Sequence, residues 1–166
     1  DRQVDLIQEG VDCVIRTGEL NNSSLVARPL GRFRWVTCAS PDYLREYGVP
    51  PSPEALSQHR AVHYFSGQAR RADEFRFVRH GETFSVPVSG NAAVNETGLY
   101  IKMCLAGFGL AQLAENIVAD HLQEGRLVEV LTDWQPPPVP VTLLYPHQRF
   151  LSPAVRAFAE WMSEVV

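Results

Sequence analysis

Two short polar segments combine residue types that can hold a small anion. Arg16-Thr17-Gly18 follows the apolar run 11–15, and Asn95-Glu96-Thr97 lies between Val94 and a helical pattern. An arginine guanidinium pairs with a carboxylate through two parallel hydrogen bonds, and a helix N-terminus offers main-chain N–H groups at the positive end of its dipole. Both segments therefore predict contacts with a small carboxylate.

Each of these segments also has a purely structural interpretation. Arg16 is equally well explained as a solvated or structural arginine at the end of a strand. Asn95 or Thr97 could cap the helix, a role that is compatible with ligand contact. Glu96 could instead select against acids or bind a donor group. The two interpretations remain open at both segments.

Four further residues are candidates for ligand contact. Ser40 leaves a predicted strand, but its role as the N-cap of a helix that begins at Pro41 explains it fully. Tyr64 and Phe65 end another predicted strand and could stack on an aromatic ligand. Aromatic residues in strands belong to the core more often than not, and Phe108 has the same ambiguity.

The spacing of chemically active residues supports neither catalysis nor a metal or cofactor site. Gly107-Phe108-Gly109 lacks the third glycine of a nucleotide-binding loop and follows a helical pattern instead of preceding one. His59 and His63 have the spacing of a helical metal pair, but the pattern there turns to strand, and no Cys or acidic ligand completes a set. There is no Gly-x-Ser-x-Gly elbow and no pair of cysteines. We predict a protein that is not an enzyme, with no metal and no cofactor.

Composition and charge exclude several classes of protein. The chain has 166 residues, of which 45% are hydrophobic and 20% charged, as in one ordinary folded domain. Its net charge is -4 and its pI about 5.7, with no basic stripe that could follow a phosphate backbone. If the protein acts on DNA, the part that contacts DNA lies outside this chain.

The cysteines and the hydropathy indicate a cytoplasmic protein. Cys13, Cys38 and Cys104 stand singly in apolar patterns, which favours buried, reduced thiols. No uninterrupted apolar run approaches the roughly 20 residues that span a bilayer, so we expect no membrane contact. Residues 1–9 resemble the last turns of a helix that stops at Gly10, and we expect at least one strand-helix unit to precede them.

Strand and helix patterns alternate along the chain, which predicts an α/β fold with a largely parallel sheet. The predicted strands are 11–16, 25–28, 33–39, 61–65, two around the turn His80-Gly81 within 74–88, 92–94, 109–113, 127–131 and 141–145. We expect the first to be a buried parallel strand and Pro29-Leu30-Gly31 to separate the next two. The predicted helices are 41–47, 97–106, 115–123 and one from Pro153 onwards. The expected apolar faces are Leu99, Met103 and Ala106 in the second of these helices and Val155, Phe158, Ala159, Met162 and Val166 in the last.

Four stretches, in their order and spacing, resemble the regulatory domain of the LysR-type family. They are VDLIQEGVDCVIRTG, SSLVARPLGRFRWVTCASPDYL, LAGFGLAQL and LYPHQRFLSPAVRAFAEWM, and the resemblance covers nearly the whole chain. It implies an α/β fold of the periplasmic-binding-protein type II-like kind, in which two α/β lobes are joined by two crossover strands. Lobe I would comprise residues 1–36 and 144–166, lacking its start, and lobe II residues 37–143.

The resemblance implies an effector-sensing domain of a bacterial transcription factor. A small molecule would lie in the cleft between the lobes, bridge Arg16 and the helix start at 95–97, and favour one lobe arrangement over another. Positions similar to Ser40 face that cleft in the family. The family also implies a homodimer, tetramers in the intact protein, and DNA contact only through an upstream winged helix-turn-helix. A periplasmic solute-binding protein and an enzyme of the same fold are the alternatives.

Overall fold

The computed structural model describes residues 10–18, 25–65, 74–146 and 152–165, with side chains to residue 162. In chain order its elements are β1 (Val14–Thr17), β2 (Leu25–Phe33), β3 (Trp35–Ala39), α1 (Pro41–Tyr47), a 3-10 helix (Pro53–Gln58), β4 (Arg60–Tyr64), β5 (Phe75–Arg79), β6 (Glu82–Val86), β7 (Ser89–Val94), α2 (Thr97–Leu105), β8 (Ala111–Ala114), α3 (Glu115–Gln123), β9 (Val128–Val130), β10 (Val139–Pro146) and α4 (Pro153–Val165). The described residues form two compact units. The larger unit holds the described residues from 34 to 137, and the smaller unit holds the described residues up to 33 and from 138 onwards.

The smaller unit is built on an antiparallel sheet with the strand order β1-β10-β2. The prediction that the first strand is parallel and buried is wrong, because β1 pairs antiparallel with β10 and its residues alternate between half-buried and exposed. Buried residues concentrate instead in β10, where Val141, Leu143 and Leu144 are almost fully covered. The chain neighbours of a strand do not reveal the direction of its pairing partner.

Pro29 does not interrupt β2, as the sequence had suggested. Thr142 pairs with Pro29 and Val141 with Gly31, so Leu30 is the extra residue of a β-bulge. β2 lies at the edge of the three described strands, where a proline is tolerated because its missing N–H breaks no ladder. The predicted break is therefore a bulge inside one nine-residue strand.

Helix α4 shows the expected apolar face. Val155 and Ala159 are buried, and Phe158 and Met162 are half-buried, which confirms the predicted stripe at these four positions. Val166 and the predicted helix end at residues 1–9 lie outside the described residues. Among the helices that the structure describes, none is both long and apolar enough to cross a bilayer.

The larger unit contains a five-stranded mixed sheet. β3 pairs antiparallel with β8 and β9, and β4 pairs parallel with β7. Leu110 joins the two sets, because its N–H donates to the Arg60 carbonyl and its carbonyl accepts the Val62 N–H, each at 2.9 Å, in a parallel bridge with Ala61. The strand order is therefore β7-β4-β8-β3-β9, and only β3 runs against the other four. The predicted mixture of strands and helices is confirmed, but the largely parallel sheet is not. Only the β4-β7 ladder and the Ala61-Leu110 bridge are parallel, whereas the ladders of β3 and those of the smaller unit are antiparallel.

The strands of this sheet run between two opposite sides, and each side is formed by strand ends. We call the carboxyl edge the side where β4, β7, β8 and β9 end, at Tyr64, Val94, Ala114 and Val130. The amino edge is the opposite side, where these four strands begin. Because β3 is antiparallel, Trp35 lies at the carboxyl edge and Ala39 at the amino edge.

The β5-β6 hairpin confirms the turn predicted at His80-Gly81. Both residues have positive φ, 53° and 82°, as the tight type I′ turn requires. The inner residues Phe75 and Phe77 are buried in a cluster with Leu56 and Leu110. The hairpin therefore covers one part of the core of the larger unit.

The predicted buried face of α2 is confirmed at Met103, which packs against the core, and wrong at Leu99 and Ala106, which are exposed. Leu99 is 47% exposed, whereas Tyr100 and Cys104 are buried against Val62 and Leu113. Tyr100 brings a large ring into the core, and its hydroxyl accepts the main-chain N–H of Gln112 at 3.1 Å. An apolar pattern that ranks leucine above tyrosine misses this orientation, because a tyrosine with a partner for its hydroxyl is readily buried.

The boundaries between the two units lie at 33–34 and at 137–138. The lobe boundaries predicted from the sequence lie at 36–37 and 143–144, a few residues further along the chain. The difference arises because β10 pairs with β2 from Val139 onwards, so its first half already belongs to the smaller unit.

Candidate functional site

Five of the nine predicted ligand-contacting residues meet at the carboxyl edge. β4 and β7 are parallel neighbours with Tyr64 opposite Val94, and the Phe65 N–H donates to the Val94 carbonyl at 2.9 Å. Tyr64 and Phe65 thus lie beside the segment 95–97, which leads from β7 into α2. Loops beyond the carboxyl ends of parallel strands are the usual ligand-binding region of such sheets.

Glu96 is the N-cap of α2. Its Oε1 accepts the Gly98 N–H at 2.8 Å and its Oε2 accepts the Leu99 N–H at 2.6 Å. These two bonds lower the pKa of the Glu96 carboxyl below its usual value. The expectation that Asn95 or Thr97 provides the cap is wrong, because the side chain between them performs that role.

This cap changes the electrostatics of the helix start. The Glu96 carboxylate is exposed, carries a negative charge and already occupies two N–H groups of the kind that an anionic ligand would seek. A ligand carboxylate would meet that charge at close range. The local chemistry instead favours a ligand group that donates a hydrogen bond or carries a positive charge.

The ring of Tyr64 is held by α2. Its centroid lies 5.4 Å from that of Tyr100, with the ring planes tilted by 45°. Tyr100 is itself buried and anchored to β8 through its hydroxyl. Tyr64 and Phe65 are both half-buried residues at the carboxyl edge.

Gln112 forms a buried polar network that sequence reasoning missed. Its Nε2 donates to Thr37 Oγ1 and to the Arg76 carbonyl, and its Oε1 accepts the Arg76 N–H, each at 3.1 Å. One side chain thereby completes the backbone bonding of β5 and fastens the hairpin to β8. The available signal was a single amide in the otherwise apolar strand 109–113.

Arg34 forms a second missed cluster. Its guanidinium Nη1 donates to Glu115 Oε1 and its Nη2 to Glu129 Oε1, each at 2.6 Å. Its carbonyl also accepts the Glu115 N–H at 2.9 Å. These partners lie 81 and 95 residues away in the chain, so no local pattern could have revealed them.

Ser40 and Phe108 lie at the amino edge, opposite the edge that holds Tyr64, Phe65 and residues 95–97. Ser40 is buried and its Oγ accepts the Tyr43 N–H at 3.3 Å, which confirms the predicted N-cap of α1. Phe108 is 57% exposed and follows Gly107, on which a Cβ would stand 3.5 Å from the Ser40 Oγ. β4 has 5 residues, and the four rises of about 3.3 Å between them set the two edges about 13 Å apart.

A single small ligand cannot contact both edges at that separation. The interest in Ser40 rested on its place at the carboxyl end of a strand. That strand, β3, runs against its neighbours, so its carboxyl end falls at the amino edge of the sheet.

Arg16 and Thr17 belong to the smaller unit. Arg16 is half-buried opposite Thr142, and Thr17 is exposed opposite Val141. Within the described ranges, no carboxylate lies at ion-pair distance from Arg16. Arg28 pairs with Leu143, the next residue along β10, and therefore projects from the opposite face of the sheet.

Two further titratable groups of the larger unit, His59 and Cys38, have structural partners. His59 is buried with its Nδ1 3.1 Å from the Tyr43 hydroxyl, and this burial lowers the pKa of His59. A hydrogen bond with Cys104, together with burial, raises the pKa of the Cys38 thiol. No group of three or more potential ligands is placed to hold a metal ion in the part of the chain that the structure describes.

The protein-family model described as the LysR substrate binding domain matches residues 1–166 of this chain. The chain belongs to this family, whose fold is the periplasmic-binding-protein type II-like one, and the predicted family and fold class are confirmed.

Two curated relatives are bacterial regulators. The chain is 37% identical over 166 residues to the uncharacterized HTH-type transcriptional regulator YhjC of Escherichia coli strain K12, covering 100% of the chain and 56% of that protein. It is also 37% identical over 165 residues to an HTH-type transcriptional repressor of Pseudomonas aeruginosa strain UCBPP-PA14. That match covers 99% of the chain and 52% of the repressor. The chain thus spans about half the length of these relatives.

A solved structure agrees with this assignment. The regulatory domain of CrgA, a LysR-type transcriptional regulator from Neisseria meningitidis, has a TM-score of 0.78 with this chain at 26% identity. The match covers 96% of the chain and 77% of that structure.

Proposed function

We propose that this chain is the effector-binding part of a LysR-type transcription regulator and that it binds a small molecule at the carboxyl edge of the larger unit. The observation that carries the proposal is the convergence of Tyr64, Phe65 and residues 95–97 at that edge, in a chain that matches the family along residues 1–166. The regulators among its relatives favour this function over that of a solute-binding protein.

The effector chemistry follows from the residues at the carboxyl edge. The aromatic side chains of the half-buried residues Tyr64 and Phe65 favour an aromatic or flat apolar group. The exposed Glu96 carboxylate favours a hydrogen-bond donor next to that group and disfavours an acid there. A carboxylate remains suited to Arg16 and Thr17 in the smaller unit. That one effector contacts both sets of residues stays a prediction.

The properties of the whole protein belong to the same proposal. A net charge of -4 with no basic stripe favours DNA contact through another part of the protein. We propose that the regulator acts in the cytoplasm as a homodimer, with tetramers in the intact protein. Its role would be ligand binding without catalysis, as for the regulators among its relatives.

A thermal-shift screen of the full-length protein tests the proposed site. The panel contains aromatic amines, aromatic acids, sugars and aliphatic carboxylates, and a ligand at 100 times its Kd adds about 2.7 kcal/mol of stability. Phe65→Ala removes a ring from the carboxyl edge, and Phe108→Ala is its matched control at the amino edge. We expect a compound that stabilises the wild type and Phe108→Ala but not Phe65→Ala; the reverse pattern would place the site at the amino edge.

A second pair of variants tests the smaller unit. Arg16→Met and Arg28→Met remove equivalent half-buried guanidinium groups from opposite faces of one sheet. If the effector carries a carboxylate that binds Arg16, only Arg16→Met abolishes its thermal shift. Gel-shift titrations of the full-length protein on its own promoter region, with and without the compound, then connect binding to DNA recognition. A compound that binds without changing the gel shift would contradict the regulatory role.

A further inference from the structure

Arg34 occupies a special place in the chain. It stands alone between the end of β2 at Phe33 and the start of β3 at Trp35, and the chain passes from the smaller to the larger unit between Phe33 and Arg34. Arg34 is therefore the first residue of the larger unit on this connection. The connection between the two units therefore passes through the backbone next to Arg34.

Three hydrogen bonds tie Arg34 to the larger unit. The two from its guanidinium reach the carboxylates of Glu115, the first residue of α3, and Glu129, within β9. The third is accepted by its carbonyl from the Glu115 N–H and continues the β3-β8 pairing by one residue, whatever the side chain at position 34. We call the two guanidinium bonds the Arg34 clamp. The clamp adds a side-chain anchor to a main chain that already pairs with β8.

The clamp involves more than an ordinary surface ion pair. An isolated exposed pair is worth about 0–1 kcal/mol, since two long side chains must be ordered for little gain in water. Here one guanidinium spans two carboxylates on different elements, and the Glu129 side chain is only 22% exposed. A planar fork suits this geometry, whereas the single ammonium of lysine does not.

The second connection is stiff for a different reason. It consists of Pro136-Pro137-Pro138 and enters β10 at Val139, the residue that pairs with Phe33. Proline fixes φ and favours an extended chain. The two connections therefore join the sheet of the smaller unit at the paired residues Phe33 and Val139. The first connection continues from Phe33 to the clamp, and the second reaches Val139 from the three prolines.

We propose that the Arg34 clamp is a hinge anchor, which confines bending of the first connection to the Phe33-Arg34 junction. Without the clamp, bending extends into the first residues of β3, and the freedom of the two units relative to each other increases. Arg34 is in this sense a positioning residue. The proposal is independent of which effector the protein binds.

The test measures the spread of distances between the units. Spin labels are attached to the full-length protein at Glu82→Cys in the β5-β6 hairpin and Ala154→Cys in α4, both exposed. Cys13, which is partly accessible, is replaced by serine, and excess unlabelled protein dilutes labelled subunits. Pulsed electron paramagnetic resonance then compares the distance distributions of the wild type, Arg34→Gln and Arg126→Gln. Arg126→Gln is the control, because it breaks the Arg126–Glu124 ion pair of the same unit.

We expect a broader distance distribution for Arg34→Gln and an unchanged one for Arg126→Gln. The Glu115→Gln/Glu129→Gln double variant should broaden the distribution as Arg34→Gln does, and adding Arg34→Gln to it should cause no further broadening. Arg34→Lys covers the case in which Arg34→Gln folds poorly, and it should broaden the distribution to a lesser extent. A distribution as narrow as that of the wild type in folded Arg34→Gln or Arg34→Lys, even with a lowered urea midpoint, would overturn the proposal.

Discussion

Glu96 Oε2 accepts the main-chain N–H of Leu99 at 2.6 Å, so the first turn of α2 is closed by a carboxylate from its own N-cap residue. The other oxygen of the same group accepts the Gly98 N–H. The acid at the candidate site therefore has a structural role and still presents a charge to any ligand that approaches the carboxyl edge.

Glu96→Ala should destabilise α2, whereas Glu96→Asp should have little effect because aspartate is a favoured N-cap. We expect the midpoint of thermal unfolding to fall by on the order of a few degrees for Glu96→Ala. The folded pKa of Glu96 lies below the usual 4.5, so the stabilisation by Glu96 is present above pH 4.5 and is lost as the pH falls through the folded pKa. The gap between wild type and Glu96→Ala should thus close in acid, and a gap that persists there would contradict the cap.

Gln112→Met should destabilise the larger unit by about 1–3 kcal/mol, because it leaves the Thr37 hydroxyl and the Arg76 backbone groups without the amide. The matched control is Gln123→Met at the exposed end of α3, which should change stability by less than about 0.5 kcal/mol. Urea unfolding measures both. Hydrogen exchange at the Arg76 amide should also accelerate in Gln112→Met, and unchanged exchange would show that the hairpin is held by other contacts.

His59 should make the stability of the larger unit depend on pH. Burial lowers the folded pKa of His59 below 6.5, so the unfolded chain takes up the proton first as the pH falls. Stability should be highest above pH 6.5 and decrease from there down to the folded pKa. His59→Asn keeps a polar atom near the Tyr43 hydroxyl but removes this titration. Urea midpoints of the two proteins from about pH 5 to 8 should therefore diverge only at the acid end, and parallel curves would exclude His59 as the cause.

His80→Asn should stabilise the β5-β6 hairpin. His80 has a φ of 53°, a conformation that asparagine adopts more readily, and Asn-Gly is the preferred pair for this turn. We expect a gain of about 0.5 kcal/mol. Gly81→Ala should act in the opposite direction, since Gly81 has a φ of 82°. Thermal unfolding of the two variants provides the comparison, and a loss of stability in His80→Asn would show that the histidine makes a contact that outweighs its backbone strain.

Local features of the fold were predictable because neighbouring residues determine them. The cap at Ser40-Pro41, the turn at His80-Gly81 and the bounds of α3 at 115–123 all appear where the sequence placed them. Capping bonds and turn angles depend on side chains within three or four residues. The four stretches shared with the LysR-type family likewise required only the order of residues.

The candidate site was predictable only in part. The carboxyl edge joins Tyr64 to residues 95–97 through a strand pairing that an alternating α/β pattern leads one to expect. Ser40 falls at the other edge because β3 is antiparallel to its neighbours, and no residue within β3 indicates its direction. Phe108 falls there because it precedes β8.

The amino-acid sequence by itself determined the family, the positions of most helices and strands, and the caps and turns that end them. Only the tertiary structure decided which face of α2 is buried, that Gln112 fastens the hairpin to β8, and that Arg34 holds Glu115 and Glu129. The physical reason is that these contacts join residues tens of positions apart. Their energies depend on burial and on partners that exist only once the strands have paired.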